Sequence, residues 1–355
     1  MSREERKLHK AIQKHASREQ QKLNQQLNRQ RKGDFRKPPR PRIGADVDFD
    51  DIEIVEPSRT GGGAVRAETG IEGLVAETGL GFCTVLAGGD PCQCRTTPGI
   101  AIGDRVLFRP ERRRIVRILP RRTSLSRPDP GNARLRRVLA ANVDIVVNVV
   151  SLKDPPLRPG LIDRFLIAIE QSGADPLLCV NKCDLLAAEE ELAPLIPYQE
   201  TGVPVVLCSA ATGDGTDLLA DALAGKTCVF AGHSGVGKSS LLNALAPGLG
   251  LATGAVSEHR HRGRHITTSS SMHFLPNGAV VIDTPGIREF GLWEAGPEEV
   301  RRSFHEFDRW SAGCAFPDCS HVHEPRCAVK EAVEAGQIPR VRYAAFLRIL
   351  NTLRE

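Results

Sequence analysis

The densest chemistry lies in one stretch, Gly232-His233-Ser234-Gly235-Val236-Gly237-Lys238-Ser239, which matches G-x4-G-K-[ST]. It follows the apolar run Cys228–Ala231 and opens the helix-like stretch Ser239–Leu245. Glycines let backbone N–H groups approach phosphates without a Cβ in the way, and a helix N-terminus adds partial positive charge. In such a loop Lys238 reaches the β- and γ-phosphates and the Ser239 hydroxyl ligates Mg²⁺, with Ser240 the last of the nucleotide-binding residues. The base is read elsewhere. Asn181-Lys182-Cys183-Asp184 matches N-K-x-D at the end of the apolar run Pro176–Val180. Asp184 can accept from guanine N1–H and from the N2 amine, donors that adenine lacks. Asn181 is placed to meet the O6/N7 edge, the Lys182 stem can cover the ring, and Cys183 fills the variable position. Ser209-Ala210, after Val203–Cys208, matches the short element that backs up guanine recognition.

Asp283-Thr284-Pro285-Gly286 matches D-x-x-G at the end of an apolar run. Asp283 is predicted to hold Mg²⁺ through water, and the Gly286 N–H to sense the γ-phosphate. The stretch Arg260–Ser271, rich in Arg, His, Thr and Ser, is predicted to carry the Mg²⁺-ligating switch threonine, Thr267, with Thr268 as the alternative. Ras-like GTPases place a water-orienting glutamine just after D-x-x-G. Here that position is Ile287, which can neither donate nor accept. The nearest polar candidate is His265, whose neutral imidazole can take a proton from water. Its alternative role is a contact to a partner's phosphate or to solvent. Lys238, Thr267 and His265 are thus the expected catalytic residues.

A separate constellation is Cys314-x4-Cys319-x-His321-x5-Cys327, three thiols and an imidazole within 14 residues. That donor set suits one closed tetrahedral structural Zn²⁺, with His323 as a competing fourth ligand. Three thiolates leave little Lewis acidity for a catalytic metal, and an iron–sulfur cluster would want four cysteines.

These motifs need a parallel sheet to bring them together. Asp144–Val150 is a continuous β-branched apolar run, as for a strand buried on both faces. Helix-like Leu161–Gln171, Asp217–Ala224 and Lys238–Leu245 alternate with strand-like Pro176–Val180, Val203–Cys208, Thr227–Ala231 and Ala279–Asp283. This is βαβ architecture. The motif order is unusual. A common GTPase runs phosphate loop, switch threonine, D-x-x-G, N-K-x-D, S-A; this chain opens the same cycle at N-K-x-D. Circular permutation is tolerable because domain termini often lie close together.

Upstream, residues 66–120 hold five short β-like runs (Gly73–Glu77, Phe82–Leu86, Gln93–Thr96, Arg105–Arg109, Arg114–Ile118). They predict a small barrel, OB-like first and SH3-like second. Residues 121–140, Arg-rich and broken by Pro128 and Pro130, are expected as a basic linker between the barrel and a GTPase domain at 141–294. Residues 295–355 are expected as a helical zinc-binding domain. Residues 1–42 carry 14 Lys/Arg and 4 Asp/Glu, whereas the rest of the chain is net −5. With the acidic patch and glycines that follow, residues 1–65 read as a basic disordered tail and linker suited to a polyanion.

The longest apolar runs, such as Ile145–Val150, are too short to span a bilayer. The Arg/Lys-rich start has no apolar core, and Glu4 and Glu5 argue against a mitochondrial presequence. Ten cysteines without framework spacing fit a reducing compartment. The expected setting is cytoplasmic.

Over about residues 66–345 the chain resembles the RsgA (YjeQ) family of ribosome small-subunit-dependent GTPases. The likeness includes Gly263-Arg-His-Ile-Thr267, Asp283-Thr-Pro-Gly-Ile-Arg-Glu-Phe-Gly-Leu-Trp293 and the C-x4-C-x-H-x5-C cluster. Ile266 stands where the family pattern has a threonine, which favours Thr267 as the Mg²⁺ ligand. The resemblance implies a late-stage 30S assembly factor, a monomer whose OB-fold and zinc domain dock on 16S rRNA and whose GTPase is stimulated by the subunit. Two other readings are an RNA-docking scaffold that holds GTP structurally, and a GTPase for another ribosomal or tRNA target.

Overall fold

The computed structural model describes residues 70–129, 132–250, 270–284, 287 and 295–353. The basic segment 1–65 lies outside them, as do His265, Thr267, Thr268 and Gly286.

The first five strands are β1 (Ile71–Thr78), β2 (Phe82–Ala87), β3 (Asp90–Arg95), β4 (Arg105–Arg109) and β5 (Arg114–Ile118). They run in spatial order β3-β2-β1-β4-β5, all antiparallel. The Arg95 N–H donates to the Arg113 carbonyl at 3.0 Å, joining the end of β3 to the turn before β5. Inward residues at alternate positions, among them Val75, Val85, Val106, Phe108 and Ile115, form one buried cluster. Period-2 alternation around a curled sheet gives each strand one buried face.

Residues 121–140 correct the sequence reading. They contain a hairpin of β6 (Ser124–Asp129) and β7 (Asn132–Ala141), not a linker. The arginines had masked Leu125, Leu139 and Ala140, which are buried in a core shared with the α/β domain. A two-stranded ribbon has only edge strands, where a proline such as Pro128 is tolerated.

The α/β domain follows: β8 (Ile145–Ser151), α1 (Pro159–Ser172), β9 (Asp175–Asn181), α2 (Ile196–Glu200), β10 (Val205–Leu207), α3 (Thr216–Leu223), β11 (Thr227–Ala231) and α4 (Lys238–Leu245). Then come β12 (Ser270–Phe274) and β13 (Val280–Asp283). Strands β10-β9-β8-β11-β13 are parallel. Val147 and Val149 of β8 pack on one face with Leu219 and Leu223 of α3 and Leu241 of α4. Val146 packs on the other face with Phe165 and Ile169 of α1. Burial on both faces explains the unbroken apolar run.

Strand β12 was not foreseen; its first residues, Ser270 and Ser271, end the stretch read as a switch loop. It is antiparallel to β13 and pairs with β1 at Glu77↔Ser271 and Thr78↔Ser270. The first five strands and the α/β strands therefore belong to one continuous sheet.

The C-terminal part comprises α5 (Pro297–Arg302), α6 (Asp308–Ser311), α7 (Ala328–Glu334) and α8 (Arg340–Thr352). Its core holds Phe304, Phe307 and Phe346, in edge-on contact between Phe307 and Phe346 at 5.1 Å, and it also takes Ile167 from α1. Helix α1 is thus shared between the sheet and the C-terminal part.

Candidate functional site

The guanine-type and phosphate-type motifs meet at the C-terminal ends of the parallel strands, where open α/β sheets bind ligands. Asn181, at the end of β9, is 2 % exposed. Its Nδ2 donates to the Val236 carbonyl at 2.8 Å, and its Oδ1 accepts from the Ala210 N–H at 3.0 Å. One side chain thereby ties N-K-x-D, S-A and the phosphate loop together. The Ser209 hydroxyl donates to Asp184 Oδ1 at 2.5 Å and accepts from the Thr212 N–H at 3.2 Å. That leaves the exposed Asp184 carboxylate oriented, its other oxygen available for a base edge. Lys182 sits at φ +64°, and its Nζ donates to the Asp154 carbonyl at 2.5 Å. Asp154 gave no signal in the sequence, because it lies 28 residues from Lys182. The Cys183 thiol is buried, and burial pushes its pKa up to about 12. It is a neutral buried filler and no nucleophile.

The loop Gly232–Gly237 links β11 to α4. Glycine is required at both ends. A Cβ on Gly232 would lie 2.2 Å from the Val149 carbonyl oxygen, and one on Gly237 2.3 Å from Asn181 Nδ2. Lys238 Nζ donates to the Gly232 and His233 carbonyls, each at 2.8 Å. Ser234 and Gly235 are exposed, and Ser239 and Ser240 are half-buried at the start of α4. Asp283 is exposed at the end of β13, next to the strand that carries the phosphate loop. Thr284 is buried, its hydroxyl 2.7 Å from Ser270 Oγ. Ile287 is 5 % exposed, within the core that contains Phe165 and Ile169, so it takes no part in orienting water.

Beside the loop lies a small cleft lined by Asn148, Ser151, Leu157, Arg158, Leu161 and His233 among others. Asn148 is fully buried, and neither amide atom has a hydrogen-bond partner among the described residues. Arg158 contacts His233. Sequence reasoning missed Asn148 and Arg158, since neither belongs to a motif.

The ligand atoms of Cys314, Cys319, His321 and Cys327 all lie within 4.8 Å of one another. His321 Nδ1 is 3.6 Å from Cys314 Sγ and 3.5 Å from Cys327 Sγ, and the two sulfurs are 3.9 Å apart. A tetrahedron with ordinary zinc bond lengths has edges of about 3.8 Å between sulfurs and about 3.6 Å from sulfur to nitrogen. The cluster fits such an ion. Burial lowers the His321 pKa, which favours the neutral ring that coordination needs. Its Nε2 faces Ser311 Oγ at 3.4 Å, and the Tyr343 hydroxyl donates to its carbonyl at 2.7 Å. His323 is exposed and outside the cluster.

Among the described residues, no helix is long and apolar enough to cross a membrane. A family profile described as RsgA GTPase matches residues 118–293. The small ribosomal subunit biogenesis GTPase RsgA of Haemophilus influenzae is 40% identical over 271 residues, 74% of this chain and 78% of that protein. The protein of the same name from Gemmatimonas aurantiaca is 37% identical over 83% of this chain and 97% of its own length. The crystal structure of YjeQ from Thermotoga maritima superposes with a TM-score of 0.66 at 34% identity, covering 80% of this chain and 98% of that one. YloQ, described as a circularly permuted GTPase, gives 0.62 at 29% identity, with 82% and 98% covered.

Proposed function

The chain belongs to the RsgA GTPase family, and on that premise we propose that it hydrolyses GTP as a maturation factor of the small ribosomal subunit. The observation that carries the nucleotide reading is Asn181, whose amide bridges the S-A loop and the phosphate loop. Its two bonds give base recognition and phosphate binding a common frame. Asp184, backed by Ser209, selects guanine over adenine. Residues 232–240 hold the phosphates, and Ser239, Asp283 and Thr267 serve Mg²⁺, which neutralises the charge developing on the transferred phosphoryl group. Ile287 is turned into the core, so the water must be oriented by another group, and His265 is our candidate.

The remaining parts serve docking. The strand path β3-β2-β1-β4-β5, joined end to end by Arg95 and Arg113, supports an OB-like barrel over an SH3-like one. The spacing of the Cys314, Cys319, His321 and Cys327 donors supports one structural Zn²⁺ in a helical C-terminal domain. We assign 16S rRNA to the barrel, the zinc domain and the basic segment 1–42, and take the working form as a cytoplasmic monomer. Co-sedimentation tests the partner. The chain is mixed with separated 30S and 50S subunits in the presence of GDP or a non-hydrolysable GTP analogue. Pelleting with 30S in the analogue state is the expected result; equal pelleting with 50S would remove the small subunit from the proposal.

A further inference from the structure

Helix α1 reaches the phosphate loop through its first turn. Arg158, at the N-cap position just before α1, places Nη1 3.3 Å from His233 Nε2. The other ring nitrogen, Nδ1, lies 2.7 Å from the Ser234 carbonyl. A carbonyl oxygen only accepts, so Nδ1 carries the proton and Nε2 presents a lone pair to the guanidinium. Two oriented bonds therefore run in series: Arg158 N–H to His233, and His233 N–H to the Ser234 carbonyl.

The loop depends on such holds. Gly232, Gly235 and Gly237 have φ values of +141°, +84° and +94°. Glycine adopts these angles without strain, but ordering it costs more backbone entropy than ordering any other residue. Backbone amides aimed at a phosphate bind well only when their directions are set beforehand. The second half of the loop is held by Asn181 at the Val236 carbonyl. Lys238 also bonds the Gly232 and His233 carbonyls, but it is the side chain that must turn to the phosphates. Arg158, which belongs to no nucleotide motif, also hydrogen-bonds the first half of the loop.

We propose that Arg158 is a positioning residue for nucleotide binding: through His233 it holds the Ser234 half of the phosphate loop in the turn that receives phosphate. Arg158 is exposed, so replacing it opens no cavity. The proposal rests on the phosphate-loop reading above. If that reading were wrong, the unaltered chain would fail to bind guanine nucleotide before any variant was compared.

The test is titration of the full-length chain with a fluorescent N-methylanthraniloyl GDP. The variants are Arg158→Ala, His233→Ala, the double variant, Arg158→Gln and Arg158→Lys, each with a melting curve recorded without nucleotide. Arg158→Ala and His233→Ala should each weaken binding about three- to tenfold, the worth of one hydrogen bond, with unchanged melting. The double variant should be no weaker than the poorer single one, because both break the same series. Arg158→Gln keeps an N–H donor without the charge and should recover binding to within about twofold of the unaltered chain. Wild-type affinity in Arg158→Ala would overturn the proposal, as would additive losses in the double variant. Failure of Arg158→Gln alongside full binding by Arg158→Lys would overturn it too, because the charge would then act on the phosphate directly.

Discussion

Arg342 of α8 joins the C-terminal part to the α/β domain, and its removal has a magnitude that the structure defines. Its side chain is 5 % exposed, and its guanidinium bonds two carboxylates. Nη1 meets Asp163 of α1, itself 2 % exposed, and Nε meets Glu306 at 2.6 Å. The group also lies 4.5 Å from the centre of the Phe304 ring. Arg342→Met keeps an unbranched apolar stem but removes the guanidinium, which leaves the buried Asp163 carboxylate and the half-buried Glu306 carboxylate without it. Breaking a buried pair from one side costs about 3–5 kcal/mol, more than its formation contributes, because the remaining charge stays desolvated. At roughly 2 °C per kcal/mol for domains of this size, the melting temperature at pH 7 should fall by about 6 °C or more.

The pH dependence gives a second signature. Burial raises the Asp163 pKa to about 6 even though Arg342 pulls it down. A folded-state value above the unfolded one, about 3.9, means that protonation favours the fold. That contribution is complete below about pH 4 and is lost as pH rises through about 6. Without Arg342 the folded-state value rises further, so the deficit of Arg342→Met should shrink on going from pH 7 to pH 5. Calorimetry of the full chain at both pH values measures this. A melting temperature within about 1 °C of the unaltered chain at pH 7, or a deficit that grows at pH 5, would refute the reasoning.

The other expectations concern nucleotide, metal, RNA and hydrolysis. Asp184→Asn should weaken GTP binding and turn preference towards xanthosine nucleotides, whose C2 carbonyl needs a donor; competition titration reads this. Metal analysis should find about one zinc per chain. Cys319→Ser should lose that zinc and destabilise the C-terminal part while guanine-nucleotide binding persists, as followed by fluorescence titration. Deleting residues 1–42, with their 14 Lys/Arg, should weaken 30S binding and flatten its dependence on salt, since each lost phosphate contact removes a log–log slope of roughly 0.7–0.9. His265→Ala should remove most of the subunit-stimulated phosphate release while leaving GTP affinity unchanged. A stimulated rate equal to that of the unaltered chain at saturating 30S would assign the water to another group.

The sequence by itself determined the chemistry that must sit on one short loop. Phosphate binding needs glycines, a lysine and a hydroxyl within a few residues, and the stretch from Gly232 to Ser239 supplies them contiguously. The permuted order of motifs was legible for the same reason, as were the strands around Ile145–Ser151 and Thr227–Ala231, whose apolar runs are long enough to leave no other reading. Where composition and pattern disagreed, composition misled: the arginines of residues 121–140 hid the few apolar residues that make β6 and β7 part of the core. Tertiary structure alone decided what depends on distance in space. It selected His321 over His323, because two histidines two residues apart project differently and only one reaches the three sulfurs. It brought Asn181 to Val236 across 55 residues and Arg342 to Asp163 across 179. It also joined the first five strands to the α/β sheet through β1 and β12. Such contacts leave no local mark, because any chain segment with the right side chain can make them once the fold has brought it there.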